Sequence, residues 1–275
     1  MEYLDNLFGL RGKVALLTGG GGVLAGAIGK GLANAGVKVV LADLDEERAK
    51  EAAKNICVVE GEAYGVGMNV LVRESLEHAR KKILEKFGSI DILLNAAGGN
   101  MPGATIPPDK TVFDLDLEDM DKVSELNFKG TVLPSMIFGK TMSEQNTGGN
   151  IINISSMAAL QSITRVVGYS ASKAAVSNFT MWLAMEMAMK FDAKIRVNAI
   201  APGFFIGNQN RALLTNSDGT YTERGQKVIA KTPMGRFGEA HELIGAILYL
   251  AGNASSFVTG IVLPVDGGFS TFSGV

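Results

Sequence analysis

At 275 residues, with 47% hydrophobic side chains, the chain can build one large α/β domain or two small ones, and its net charge of -2 gives no sign of a polyanion partner. Its single cysteine, Cys57, excludes an internal disulfide, reads as a packing residue and fits a reducing cytoplasm. No apolar stretch reaches the roughly 18 residues of a membrane span, and the opening MEYLDNLFGLRGK lacks the apolar run of a secretion signal.

Residues 13–18 (KVALLT) form a short apolar run bounded by glycines, which predicts a buried strand. Residues 23–35 carry apolar side chains at helical spacing and stop at Gly36, a C-terminal cap. A second buried strand follows at 37–43 (VKVVLAD), then a charged, Ala-rich helix at 46–55. A weaker strand at 63–68, a helix at 71–87 ended by Gly88 and a strand at 90–95 continue the alternation. The segment 120–146 contains a long helix, 150–155 (NIINIS) a fifth strand, 167–191 a helix and 194–200 (KIRVNAI) a sixth strand. Residues 203–238 read as irregular and polar, 239–250 as a helix and 261–265 as a last strand. Strands too apolar to face water, each followed by a helix, predict a mostly parallel seven-stranded sheet covered on both faces. No linker or repeat interrupts the pattern, so the expected fold class is α/β, a single doubly wound Rossmann-type domain over 1–275.

Between the first strand and first helix stands TGGGGVLAG (18–26). Glycines permit a tight turn and close backbone approach to a pyrophosphate, and a helix start offers it unpaired N–H groups and a positive dipole end. Gly20, Gly22 and Ala25 fit the relaxed spacing G-x-G-x-x-A, and Asp43 closes the second strand where an acid would accept hydrogen bonds from an adenosine ribose. A 2′-phosphate at about 4 Å from that carboxylate would be repelled by roughly 4 kcal/mol at an effective dielectric of about 20, so NAD is expected over NADP. Asp43 and Asp45 are also placed to cap the following helix.

The segment GYSASK (168–173) places Tyr169 and Lys173 one helical turn apart with only small residues between. A free tyrosine titrates near pH 10, too high for a proton shuttle at neutral pH, and a neighbouring ammonium favours the phenolate. The pair suits proton exchange with a carbonyl or alcohol oxygen while hydride moves at the adjoining carbon.

With these residues in order, the chain resembles the short-chain dehydrogenase/reductase family, from GKVALLTG (12–19) to VDGG (265–268). LLNAAG (93–98), NFKGT (127–131), NISS (153–156), YSASK and NAIAPG (198–203) are similar to its successive motifs. The resemblance implies a catalytic set of Asn127, Ser156, Tyr169 and Lys173, with Ser155 a neighbour of the serine position. It implies cofactor contacts from Gly19, Gly22, Val23, Leu24, Asp43, Leu44, Asn69, Val70, Asn95, Ala96, Ala97, Gly98, Tyr169, Lys173, Pro202, Gly203 and Phe205. Several positions depart from the family pattern. Val23 and Ala25 replace two glycines, Asn69 stands where Asp is usual, Ala96 replaces an Asn, and Gly207 falls where a Thr is usual.

The connection 99–117 and the loop 204–238, a candidate lid, both emerge at the carboxyl ends of strands, where ligands bind in such sheets. Their polarity suits a hydroxylated substrate. Arg165, four residues before Tyr169, suits a substrate carboxylate, and Asn100, Gln209, Asn210 and Arg211 suit hydroxyls, beside Ser156 and Tyr169. GGNMPGAT, SITRVVGYS and PGFFIGNQNRALLTN are similar to the family's D-mannonate oxidoreductase (fructuronate reductase) subgroup, which implies reduction of D-fructuronate with NADH. Alternatives are a 3-oxoacyl reductase, with Lys129 and Lys190 steering an acidic carrier, another polyol or sugar dehydrogenase of the same family, and a non-catalytic NAD-binding sensor or scaffold. The methionine-rich MWLAMEMAMK (181–190) reads as core or subunit packing, and His78 and His241 as surface residues with no metal site. The tail PVDGGFSTFSGV resembles the family's inter-subunit segment, which implies a homotetramer.

Overall fold

Strands that are apolar on both faces need cover on both faces, and the computed structural model shows how it is supplied. It describes residues 2–57, 62–145, 147–207 and 210–274; Gln209 lies outside them. The strands are β1 (Val14–Thr18), β2 (Lys38–Asp43), β3 (Ala63–Gly67), β4 (Ile92–Asn95), β5 (Gly149–Ile154), β6 (Ile195–Pro202) and β7 (Val262–Val265). They form one sheet in the order β3-β2-β1-β4-β5-β6-β7, every pairing parallel. The helices are α1 (Glu2–Phe8), α2 (Val23–Asn34), α3 (Glu46–Cys57), α4 (Arg73–Phe87), α5 (Leu117–Ser124), α6 (Gly130–Glu144), α7 (Val167–Lys190), α8 (Arg211–Leu214), α9 (Glu223–Lys231) and α10 (Ile244–Ala251).

Successive side chains of a strand point to opposite faces. Along β1, Val14 and Leu16 enter one core with Ile83 of α4, Phe138 of α6 and Met187 of α7. Ala15 and Leu17 enter the other with Leu32 of α2, Ile56 of α3 and Ile247 of α10. Leu16 and Leu17 are both fully buried, each burial contributing roughly 1.5–3 kcal/mol. The strand order reverses direction between β1 and β4, so their carboxyl ends open the crevice where a doubly wound sheet takes its ligand.

The structure departs from the sequence expectation in four places. Residues 2–8 are helical, anchored by Phe8 against the second core. The long helix predicted within 120–146 is broken: α5 passes through a π-helical turn, Glu125–Lys129, into α6. Pro134 inside α6 has no N–H to return to the preceding turn, which leaves room for the irregularity at its start. The stretch 203–238 is not wholly irregular, because α8 and α9 lie within it; α9 starts at Thr222, whose side chain accepts from Gly225 N, and carries a Glu223–Lys227 pair. The helix predicted at 239–250 opens instead as a 3₁₀ turn, Ala240–Leu243, before α10.

Candidate active site

The glycine turn is built for a backbone ligand. Gly19 has a left-handed φ of 65°, and a Cβ there would stand 3.0 Å from Ala97 Cα. Gly22 caps α2 without any side-chain bond, so the first N–H groups of the helix are left for an anion. Thr18, fully buried at the end of β1, accepts from both Ala96 N and Ala97 N at 3.0 Å and ties the two walls of the crevice together. Thr18 was not among the sequence-predicted residues; its signal was its place at the β1 terminus, facing the β4 turn.

Asp43 accepts from Gly21 N at 2.9 Å and Asp45 N at 3.2 Å, which fixes the carboxylate at the turn. Each oxygen retains a second lone pair for a ribose hydroxyl. Arg48, also absent from the sequence expectation, donates to Gly21 O at 3.2 Å on the same rim. Leu44 beside it is 76% exposed, and Val23 and Leu24 lie at the α2 N-terminus. Asn69 Oδ1 accepts from Leu71 N, an Asx turn that shapes the end of β3. The set fits a dinucleotide: open N–H groups for phosphate, a carboxylate for ribose, and glycines where a side chain would block approach.

Some predicted cofactor residues present only backbone to the crevice. Asn95 is buried, donating to Ser135 Oγ at 2.9 Å and Asn153 Oδ1 at 2.8 Å. Asn153 in turn donates to Thr180 Oγ1 at 2.9 Å, so a buried amide ladder joins β4, β5 and α7. Val70 packs in the first core and Phe205 in the second. Gly203, after Pro202, passes so close to Asp266 that a Cβ would meet its Cα at 2.7 Å.

The four predicted catalytic side chains converge. Asn127 sits in the π turn, fully buried, donating to Gly99 O at 2.6 Å and Val123 O at 2.8 Å and accepting from Gly99 N at 3.3 Å. A Cβ on Gly98 would stand 2.7 Å from Asn127 Oδ1 and 3.3 Å from Lys173 Nζ, so only glycine allows that approach. Lys173 Nζ donates to Ile154 O at 2.7 Å and lies 5.6 Å from the Tyr169 ring centroid. Ser156 Oγ caps the 3₁₀ turn Met157–Ala159 by accepting from Ala158 N, and its hydroxyl also engages the Tyr169 phenol. Ser155 turns the other way, its Oγ 2.7 Å from Ser177 Oγ.

The electrostatics differ from the expectation of a phenol activated by its neighbour. Burial pushes the Tyr169 phenol up, against the downward pull of Ser156. Burial brings the Lys173 ammonium down from 10.5 to about 8. For both groups burial disfavours the charged form, and for Lys173 it is the one cause of the shift. Tyr169 therefore holds its proton at neutral pH, which suits it to give that proton to an acceptor.

On the substrate side, Arg165 has the one left-handed φ among the described non-glycine residues, 79°, and its carbonyl accepts from Ile106 N at 2.9 Å. Asn100 donates to Thr105 Oγ1, and Arg211 is exposed at the start of α8. Asn210 shapes the loop with both ends of its amide, accepting from Gly207 N at 2.8 Å and donating to Phe205 O at 2.9 Å, with one lone pair and one N–H left over. Lys129 and Lys190 are paired along their own helices with Glu125 at 2.7 Å and Glu186 at 2.9 Å, which blunts their use as a carrier-docking patch. His78 and His241 are exposed, and among the described residues no metal-ligating cluster and no helix long and apolar enough to cross a membrane is present.

A dinucleotide crevice beside a half-buried tyrosine and a buried lysine is the arrangement of a nicotinamide-dependent oxidoreductase, and comparison with known proteins agrees. A family model described as enoyl-(acyl carrier protein) reductase matches residues 22–270. The chain belongs to the short-chain dehydrogenase/reductase family and is an NAD(P)-dependent oxidoreductase acting on an alcohol or ketone. It is 45% identical to an uncharacterized oxidoreductase of Bacillus subtilis (strain 168), UxuB, over 97% of this chain and 98% of the relative. A proposed D-mannonate oxidoreductase from Haemophilus influenza, solved with bound NAD, superposes with a TM-score of 0.88 at 45% identity, covering 97% of this chain and 98% of that one. A gluconate 5-dehydrogenase from Burkholderia cenocepacia J2315, in complex with NADP and tartrate, is 30% identical with a TM-score of 0.86, covering 98% and 99%.

Proposed function

We propose that the protein reduces the ketone of a sugar acid, D-fructuronate, to D-mannonate with NADH, and catalyses the reverse oxidation. The observation that carries the substrate assignment is Arg165. Its guanidinium lies on the segment entering α7, four residues before Tyr169, and no carboxylate among the described residues is within 4 Å of it. Left-handed backbone at a non-glycine residue costs about 1–2 kcal/mol, a strain that persists at functional sites. The names of the solved relatives, one a D-mannonate and one a gluconate enzyme, support the same substrate class.

When bound, the nicotinamide supplies the hydride. Ser156 and Tyr169 grip the substrate carbonyl oxygen, and Tyr169 gives it the phenolic proton as the alkoxide forms. Lys173 uses one donor on Ile154 O and offers the others to the nicotinamide ribose. Asn127 holds the 98–99 backbone against Lys173 and bridges it to solvent through water. Asp43 favours NAD by accepting from the adenosine ribose and repelling a 2′-phosphate. The segment that carries α8 and α9 covers the sugar acid. A cytoplasmic homotetramer completes the reading, supported by the apolar face that Met136 of α6 and Met181, Trp182 and Met185 of α7 leave exposed. Arg165→Ala is the test of the substrate: KM for D-fructuronate rises at least tenfold, and an unchanged KM removes the carboxylate role.

A further inference from the structure

Helix α9 brings a second arginine to the first. Val228 and Ile229 on its inner face pack into a small apolar cluster with Met157 and Ile163, the segment that leads from Ser156 toward Tyr169. That docking sets Arg224 against the Thr164–Arg165 bend, where its Nη1 donates to Thr164 Oγ1 at 3.4 Å. Neither guanidinium has a carboxylate within 4 Å among the described residues, and the nearby Glu223 is taken by Lys227 at 2.6 Å. Burial, and then the charge of Arg165, push the Arg224 guanidinium below its ordinary value. Two cations are thus held side by side by apolar packing on one flank and a left-handed backbone on the other. Glu223, whose carboxylate feels the charge of Arg165, offsets part of their repulsion but is bonded to Lys227, so the pair is still best satisfied by a group with two acceptor oxygens.

We propose that Arg224 and Arg165 form a two-arginine clamp for the carboxylate of the substrate, so that Arg224 is a specificity-determining residue that ties α9 to the bound acid. The inference rests on the sugar-acid reading and deepens it. Arg165 approaches from the catalytic segment and Arg224 from the segment between β6 and β7, so the carboxylate neutralises their mutual repulsion and draws the two segments together. A neutral ketose of the same length lacks that closing charge. The clamp therefore selects acids over neutral sugars by more than one ion pair, and lysine in place of Arg224 keeps the charge without the planar fork.

The test compares wild type, Arg224→Gln and Arg224→Lys on D-fructuronate and on D-fructose, which carries a hydroxymethyl group in place of the carboxylate. The expected result is that Arg224→Gln lowers the kcat/KM advantage of the acid over D-fructose at least tenfold, through KM more than kcat, and that Arg224→Lys restores part of it. An unchanged advantage, or equal losses on both substrates, overturns the clamp. Thermal unfolding with inorganic sulfate separates this from the substrate assignment. Should wild type turn over neither sugar, the sugar-acid reading fails; a sulfate-induced rise in Tm that is present in wild type and lost in Arg224→Gln then still sustains the anion clamp, and equal shifts in both overturn it.

Discussion

Replacing Lys173 with methionine separates what the site does from what the fold would choose. The ammonium is 4% exposed and burial holds its pKa at about 8 against an ordinary 10.5. That difference is worth about 3 kcal/mol against the charged form in the native state. Below pH 8 the native protein therefore carries a charge it would be more stable without. Lys173→Met keeps the stem and removes the charge, at the loss of the bond to Ile154 O, about 1–3 kcal/mol. The expected outcome at pH 7, without cofactor, is stability unchanged or raised by about 1–2 kcal/mol, with turnover reduced by at least a thousandfold. The sign of the pH dependence follows from linkage. Between about pH 8 and 10.5 the unfolded chain still binds the lysine proton while the native chain has released it, so stability rises with pH in that window. Urea unfolding of wild type and variant at pH 7 and pH 10 measures this: wild type gains on the variant by up to about 3 kcal/mol. A variant destabilised by more than about 3 kcal/mol at pH 7, or a difference that does not move with pH, would show that the ammonium is a stabilising paired charge and refute the reasoning.

Asp43→Asn removes the charge we propose to face the 2′-position while keeping one acceptor for Gly21 N or Asp45 N, and leaves Arg48 on the same rim. The ratio of kcat/KM for NADPH over NADH is expected to rise at least tenfold, and an unmoved ratio denies Asp43 its selecting role. Asn153→Ala cuts the amide ladder between Asn95 and Thr180, leaving buried groups without partners at a loss of about 2–4 kcal/mol. Urea unfolding reads that loss, and a change below about 0.5 kcal/mol would mean the ladder contributes nothing.

The sheet was legible because its strands are apolar on both faces and bounded by glycines, a pattern that leaves parallel pairing under two helical layers as the physical solution. The Tyr169–Lys173 pair was legible because helical spacing alone puts them together. Less visible was anything decided by tertiary contact. Helix α9 is short and lies within a long polar segment, where its cap, its ion pair and its docking on Met157 and Ile163 set its position. The π turn at Asn127 interrupts a stretch whose apolar spacing reads as one continuous helix. Asn95 reads as a cofactor contact by motif, yet its amide faces inward because Asn153 and Ser135 stand across the strands. Arg224 lies far from Arg165 in sequence, and only the fold brings them to one bend.

The measurement that bears most directly on the central claim is the loss of reduced-nicotinamide absorbance with D-fructuronate, using NADH and NADPH in turn, in wild type and Tyr169→Phe. The account predicts rapid turnover with NADH, much slower turnover with NADPH, and none in Tyr169→Phe despite retained NADH binding. No turnover of D-fructuronate by wild-type protein that binds NADH would contradict the substrate, and undiminished turnover by Tyr169→Phe would contradict the chemistry.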